Sequence, residues 1–239
     1  MKHETISLRS LTIGYKTKQG VRTVASDINA AISSGELTCL LGQNGIGKST
    51  LLRTLSGFLP PLGGEMLIGG QPLSAFTPRE LAQTVGVVLT DRLDMQQMSV
   101  SELVSLGRQP YTGFFGMLSE ADRYIVAQAM KMVGIAHLAQ RLSSTLSDGE
   151  RQKTMIAKAL AQQTPLLWVS ATACGVLHGD GDLELALQTA DLLWLMQPGG
   201  ELAMGTPQQM AREEALKCFI EQGGKTRFDA STMQVVVKN

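Results

Sequence analysis

The first third of the chain changes from strand-like to helix-like hydrophobic periodicity. Residues 6–15, ISLRSLTIGY, and 23–32, TVASDINAAI, alternate apolar and polar positions as half-buried strands do, with turn-like KTKQG between them. Residues 35–60 then read as a short apolar strand, a glycine-rich loop and a helix with Leu51, Leu52 and Leu55 on one side. The pattern predicts an N-terminal β subdomain followed by a strand, loop and helix unit.

Helical periodicity dominates from Met98 to about Leu146. The segments SVSELVSLG and SEADRYIVAQAMKMVGIAHLAQRL each open on a serine with a carboxylate three residues later, which is the pattern of a helix N-cap. We therefore expect a helical subdomain in this interval.

Composition limits the class of protein. The chain has 239 residues, of which 44% are hydrophobic, and its 21 basic residues balance its 21 acidic ones. Such a balance gives no overall field towards nucleic acid or anionic lipid. Three widely spaced cysteines, no secretory leader and no apolar run of about 18 to 20 residues suggest a cytoplasmic chain that reaches a membrane only through a partner.

The segment from Gly42 to Ser49, GQNGIGKS, carries the strongest chemical signal. It matches G-x-x-x-x-G-K-S, with a strand before it and a helix after it. Glycines let backbone N–H groups curl around a phosphate, Lys48 would bridge the β- and γ-phosphates, and Ser49 offers a hydroxyl to Mg²⁺. The alternative is a glycine-rich turn that only joins a strand to a helix.

A second candidate is LSDGERQ, from Leu146 to Gln152, directly before a helix with Met155, Ile156, Ala159 and Leu160 on its apolar face. Ser147, Gly149 and the helix N-terminus form another corner suited to a phosphate. Taken alone, a serine before a helix is more often only an N-cap.

Together, GQNGIGKST and LSDGERQ resemble the loop and signature motif of the ATP-binding subunits of ABC transporters, and the similarity covers most of the chain. Residues 100–141 look most like subunits of importers of iron–siderophores, haem or cobalamin. The resemblance implies an α/β fold: a P-loop NTPase (RecA-like) core with an N-terminal antiparallel β subdomain and an inserted α-helical subdomain. It implies one nucleotide-binding domain over residues 1–239, with the core in 1–90 and 147–239 and the helical subdomain in 91–146.

The resemblance also implies the ligands and partners. The cofactors are ATP and Mg²⁺, with Ser49 on the metal. Family members form head-to-tail dimers, homodimers or heterodimers, that drive integral membrane permease subunits from the inner face of the cell membrane and indirectly serve a substrate-binding protein. No nucleic acid is implied. The positions that match nucleotide-binding residues are Tyr15, Gly42, Asn44, Gly45, Gly47, Lys48, Ser49, Thr50, Ser147, Gly149 and Glu150. Tyr15 would stack on adenine, or it is a strand tyrosine at a sheet edge.

The chain departs from the family at its catalytic positions. Thr90, followed by Asp91, stands where the family has a glutamine that touches Mg²⁺ and the permease interface. Ser170 and Ala171 stand at the Asp-Glu pair that orders Mg²⁺ and activates water, and Gly181 stands at the switch histidine. Serine offers only a neutral hydroxyl and alanine has no proton acceptor, so hydrolysis is expected to be impaired.

Only 11 residues, Ala171 to Gly181, occupy an interval in which the family has a loop, a helix and a strand. A parallel crossover needs about a dozen residues or more, so one strand and one helix after residue 170 are expected to be missing. His178, Asp180 and Asp182 are most simply a solvated turn. The alternatives are a non-hydrolysing regulatory subunit, a defective gene product or, less favoured, a DNA-repair-type ATPase.

Overall fold

The computed structural model describes residues 4–18, 20–88, 97–113, 115–169, 187–221, 226–230, 232 and 234–237. It divides into two compact units, one formed by residues 1–75 and 176–239 and the other by residues 76–175. Several residues named from the sequence lie outside the described part. They are Thr90, Asp91, Ser170, Ala171, His178, Asp180, Gly181 and Asp182. The missing strand and helix, and the predicted division of the chain into core and helical subdomain, stay predictions.

The first unit opens with an antiparallel sheet, as the alternation predicted. Its strands are β1 (Glu4–Thr17), β2 (Gly20–Ser33), β4 (Gly63–Ile68) and β5 (Gln71–Pro72), in the order β2-β1-β4-β5. The apolar positions of the alternation lie on the buried face, among them Ile6, Leu8, Leu11, Ile13, Ile28 and Ile32. A short 3₁₀ turn, Leu73–Ala75, follows β5.

The strand, loop and helix unit is also present. Strand β3 (Thr38–Gly42) leads through the glycine-rich loop into helix α1 (Lys48–Leu55). Leu51 and Leu55 are at most 1% exposed, so this helix face is packed into the core. Strand β3 runs parallel to β8 (Leu192–Met196), which pairs antiparallel with β9 (Leu202–Gly205).

The C-terminal segment completes this core. Helices α6 (Pro207–Arg212) and α7 (Ala215–Glu221) precede a hairpin of β10 (Thr226–Asp229) and β11 (Gln234–Val237). One buried cluster joins them to the β3-β8 pair, and it comprises Leu41, Leu187, Leu193, Leu195, Met210, Ala211, Leu216, Ile220 and Phe228. The C-terminal hairpin therefore contributes Phe228 to the core.

The second unit combines a two-stranded parallel sheet with helices. The sheet pairs β6 (Val85–Val88) with β7 (Leu166–Val169). The α-helices are α2 (Pro78–Thr84), α3 (Val100–Ser105), α4 (Glu120–Met132) and α5 (Asp148–Gln162), with 3₁₀ segments at Leu106–Tyr111, Ala136–Leu138 and Ser143–Thr145. Ser99 and Ser119 cap α3 and α4 as predicted, each in a capping box with the carboxylate three residues later.

Helix α5 is buried on more than the one face that its sequence indicated. Ala157 and Ala161 pack into a cluster with α3 and α4, while Ala159 packs with Val88 of β6. Met155, which the sequence placed on the buried face, is only partly buried. A helix clamped between other helices and a strand needs small residues on several sides, which explains its alanines.

Arg108 links helices α4 and α5 through buried contacts. Its Nε lies 2.8 Å from Asp122 Oδ1, its Nη1 donates to the Ala161 carbonyl at 2.9 Å, and its guanidinium lies 4.0 Å from the centre of the Tyr111 ring. Arg108 is 6% exposed, so this is a buried charge with paired donors. The hydrogen bond from the Ser119 hydroxyl, followed by the Arg108 contact, holds the pKa of Asp122 below its usual value.

Candidate functional site

The glycine-rich loop is held close to neighbouring strands by backbone that only glycine allows. Gly47 has φ +121°, and a Cβ on it would lie 2.4 Å from Val24 Cγ1 and 3.2 Å from Met196 Cε. A Cβ on Gly42 would lie 2.9 Å from the Met196 carbonyl oxygen. Gly42 and Gly47 are therefore required by φ and by close packing against neighbouring strands.

Lys48 is the first residue of α1 and lies across the loop. Its Nζ donates to the carbonyl oxygens of Gly42 at 2.6 Å and Gln43 at 2.8 Å. Burial lowers the pKa of Lys48, because desolvation disfavours the charged form. The Lys48 ammonium is partly buried, and its two partners in the loop are neutral carbonyls. Its charge would therefore interact favourably with an approaching anion.

The other loop positions are open to a ligand. Asn44, Gly45 and Ser49 are exposed, and a Cβ on Gly45 would meet nothing within 4 Å. The first N–H groups of α1 have no acceptor within the helix, and they give this end a partial positive charge. Loop, lysine and helix end together form a concentrated set of donors that suits a polyphosphate.

Tyr15 reaches this helix from β1. Its hydroxyl lies 2.9 Å from the Thr50 Oγ1, and Thr50 is 6% exposed. Tyr15, Lys48 and Thr50 thus lie in the same unit of the structure. A role of the Tyr15 ring in adenine stacking stays a prediction.

The second motif lies in the other unit and serves as a helix cap. Ser147 Oγ accepts from the Glu150 N–H at 3.3 Å, while the Ser147 N–H and hydroxyl both donate to Glu150 Oε2 at 2.8 Å. These bonds, led by the one from the Ser147 backbone N–H, hold the pKa of Glu150 below its usual value. The N-cap alternative is therefore realised, and a phosphate contact by Ser147 or Gly149 stays a prediction.

Arg141 was not singled out from the sequence, yet it braces the segment before this cap. Its Nη2 donates to the Thr145 carbonyl at 2.7 Å, its Nε contacts Thr145 Oγ1 at 3.1 Å, and its Nη1 lies 3.3 Å from Glu150 Oε1. The available signal was an arginine followed by a glutamate across a short polar turn. That signal is too common to be informative alone.

Among the residues that the structure describes, no group of three or more His, Cys, Asp or Glu side chains could hold a metal ion. A Mg²⁺ ion brought with a nucleotide would need few protein ligands, and the exposed Ser49 hydroxyl beside Lys48 suits that role. In the same described part of the chain, no helix is long and apolar enough to cross a bilayer.

Comparison with known proteins agrees with this geometry. The ABC transporter family profile matches residues 25–169. An uncharacterised ABC transporter ATP-binding protein of Methanocaldococcus jannaschii is 33% identical over 235 residues, which cover 87% of this chain and 79% of the relative. The ferric enterobactin transport ATP-binding protein of Escherichia coli is 32% identical over 242 residues, covering 88% and 87%.

A solved structure supports the fold. A metal-chelate type ABC transporter in an inward-facing conformation superposes with a TM-score of 0.69 at 20% identity, covering 92% of this chain and 90% of that one. Fold and loop geometry together define a protein of the P-loop NTPase class. The chain belongs to the ABC transporter family.

Proposed function

We propose that this chain is the ATP-binding subunit of an ABC importer for an iron–siderophore, haem or cobalamin, and that its own hydrolysis is impaired. The geometry of Lys48 carries the nucleotide-binding part, because its partly buried ammonium lies across the glycine-rich loop on the carbonyls of Gly42 and Gln43, at the N-terminus of α1. The similarity to the ferric enterobactin transport protein supports the class of cargo.

Within this proposal the two ends of the nucleotide are held by different elements. The loop from Gly42 to Ser49 would bind the phosphates, and Lys48 would contact the terminal ones. The ring of Tyr15 would stack on the base, and Thr50 would lie near the inner phosphate; the hydrogen bond between these two residues supports their acting at one site. Ser49 would be the chain's ligand for Mg²⁺, which would supply positive charge to the phosphate oxygens when bound. The hydroxyl of Ser170 and the methyl of Ala171 offer no base to deprotonate a water.

Assembly follows the family pattern in this proposal. Two ATP-binding subunits, in a homodimer or in a heterodimer with an intact homologue, meet head to tail, so that the motif around Ser147 covers the nucleotide of the other chain. The dimer acts from the cytoplasmic face of the membrane on integral permease subunits, and a substrate-binding protein delivers the cargo to them. In a heterodimer, the nucleotide held by the homologue's own loop would meet the homologue's base, and the motif around Ser147 of this chain would cover that nucleotide.

Nucleotide affinity tests the first part of this proposal. Removal of the Lys48 ammonium by Lys48→Ala is expected to weaken ATP binding about 10- to 100-fold, the range for hydrogen bonds to a charged group. Isothermal titration with Mg²⁺-ATP measures the change, and Lys131→Ala, at an exposed position of α4, is the matched control. Failure of the wild-type chain to bind ATP would refute the proposed function.

Gly149 separates a structural role of the second motif from a binding role. A Cβ on Gly149 would meet nothing within 4 Å, so Gly149→Ala is expected to leave the free energy of unfolding unchanged or raise it by up to about 1 kcal/mol. If Gly149 contacts the partner's nucleotide, the added methyl group should nevertheless abolish ATP-dependent dimerisation. Light scattering with and without ATP, beside urea denaturation, measures both quantities.

Gly107→Ala is the contrasting control. A Cβ there would lie 2.2 Å from the Lys158 carbonyl oxygen, so the packing of α5 would be disturbed. This variant is therefore expected to lose dimerisation together with a lower free energy of unfolding. A Gly149→Ala variant that dimerises like the wild type would rule out the contact proposed for this motif.

A further inference from the structure

One hydrogen bond joins the N-terminal sheet to the phosphate-loop helix. The Tyr15 hydroxyl and the Thr50 Oγ1 lie 2.9 Å apart, although the residues are 35 positions apart in sequence. Thr50 is the third residue of α1, two residues after Lys48. A contact at this place acts on the first turn of the helix, which carries the candidate phosphate donors.

Both ends of this bond are firmly supported. Tyr15 is paired with Arg22 in the β1–β2 register, and a Cβ on the preceding Gly14 would lie 2.1 Å from the Arg22 carbonyl oxygen. On the helix side, Thr50 is 6% exposed, and its carbonyl accepts a hydrogen bond from Thr54 Oγ1 at 3.0 Å. The bond therefore links two ordered elements.

The hydroxyl of Tyr15 has no part in stacking. A base stacks on the π-face of a ring, so phenylalanine would serve as well. Loss of the phenolic oxygen, however, would leave the buried hydroxyl of Thr50 without this partner, which carries a free-energy penalty. A tyrosine that merely sat at a sheet edge would instead place its hydroxyl in water.

We propose that Tyr15 is a positioning residue for phosphate binding. Its hydroxyl holds Thr50 in place and, through Thr50, the first turn of α1. The Tyr15 ring, which would stack on the base, and the loop that would bind the phosphates then form one rigid site. The inference rests on the proposed nucleotide binding and deepens it. Its ligand class is a purine nucleoside triphosphate. The tyrosine then acts on the phosphates from a distance.

Inorganic tripolyphosphate provides the decisive probe, because it has the phosphates of ATP and no base. With Mg²⁺ present, Tyr15→Phe is expected to weaken tripolyphosphate and ATP by the same factor, about 2- to 10-fold, which corresponds to one hydrogen bond. Tyr15→Leu, which also removes the ring, is expected to weaken ATP further than Tyr15→Phe and tripolyphosphate no further.

A double-mutant cycle identifies the partner. Thr50→Val, which removes the hydroxyl at nearly constant volume, should weaken tripolyphosphate as Tyr15→Phe does, and the double variant should be no weaker than either single one. Thr50→Ser, which keeps the hydroxyl, should retain most of the wild-type affinity. Circular dichroism and melting curves confirm that each variant is folded.

The outcomes separate this inference from the proposed function. A wild-type chain that binds ATP with a Lys48-dependent affinity, while Tyr15→Phe leaves tripolyphosphate affinity unchanged, would overturn the inference alone. Additive losses in the cycle would also overturn it. No ATP binding by the wild type would overturn the proposed function and the inference with it.

Discussion

The wild-type chain is expected to hydrolyse bound ATP in a single turnover no faster than its Lys48→Ala variant. The sequence alignment predicts that Ser170 and Ala171 occupy the positions of the family's aspartate and glutamate. A positioned general base commonly accelerates a reaction about 10²- to 10⁴-fold, and a group that meets developing charge contributes about 10²- to 10³-fold. These factors are not additive, yet the loss of both should leave hydrolysis far below what transport requires.

Rapid-quench measurement with excess enzyme and radiolabelled ATP tests this expectation directly. Enzyme is held above the dissociation constant of each variant, so that the comparison reports chemistry and not occupancy. The informative result is ATP that binds to the wild type and stays intact. Turnover well above the Lys48→Ala level would contradict the sequence alignment, and it would point to His178, Asp180 or Asp182 as a substitute base.

A matched replacement extends this experiment. Ser170→Asp with Ala171→Glu restores the two missing side chains, but leaves the short interval up to Gly181 as it is. If the interval lacks a strand and a helix, the restored carboxylates are expected to yield little turnover, since catalytic geometry must be held to within about 0.5 Å. Recovery to the rate of an intact relative would show that the segment is long enough.

Arg108→Ala is expected to lower the free energy of unfolding of the second unit, residues 76–175, by about 3–5 kcal/mol. Removal of one partner from a buried ion pair leaves the other charge uncompensated. Here Asp122 would lose its guanidinium partner, the Ala161 carbonyl would lose a donor, and the Tyr111 ring would lose its cation. Urea denaturation followed by circular dichroism measures the change.

The control for Arg108 lies on the same helical part. Arg123 is on the exposed side of α4, so Arg123→Ala should change the unfolding free energy by less than about 0.5 kcal/mol. A double variant with Asp122→Asn tests the pair itself, because it should be less unstable than the sum of its single variants. Equal, small losses for Arg108→Ala and Arg123→Ala would contradict a stabilising role of the buried Arg108 contacts.

Local signals predicted much of the fold, because they depend on neighbours in sequence. Period-two alternation predicted the two strands of the β1–β2 hairpin, and the loop pattern predicted the β3–α1 unit. The serine caps at Ser99, Ser119 and Ser147 predicted where α3, α4 and α5 begin. Each of these features depends on residues that are near one another in the sequence, so periodicity and capping chemistry suffice.

Contacts between distant segments were not predictable in the same way. The Tyr15–Thr50 hydrogen bond depends on how a hairpin lies against a helix, and nothing near Tyr15 in sequence specifies that. Arg108 reads as a surface charge until its partners are known, since arginine is rarely buried unless paired. The predicted single apolar face of α5 was incomplete, because burial by both a helix layer and β6 depends on the tertiary arrangement.

The parallel pairing of β3 with β8 also has a consequence for synthesis of the chain on the ribosome. The Leu37 N–H donates to Asp191 Oδ2, and these residues are 154 positions apart. Translation adds about 5–20 residues per second, so β8 is synthesised many seconds after β3, the strand with which it pairs. Met196 also forms a wall of the glycine-rich loop. The glycine-rich loop of a nascent chain therefore lacks this wall until Met196 has been synthesised. A ligand that needs the complete loop can bind only after that point, while β9, α6, α7 and the C-terminal hairpin are still to be made.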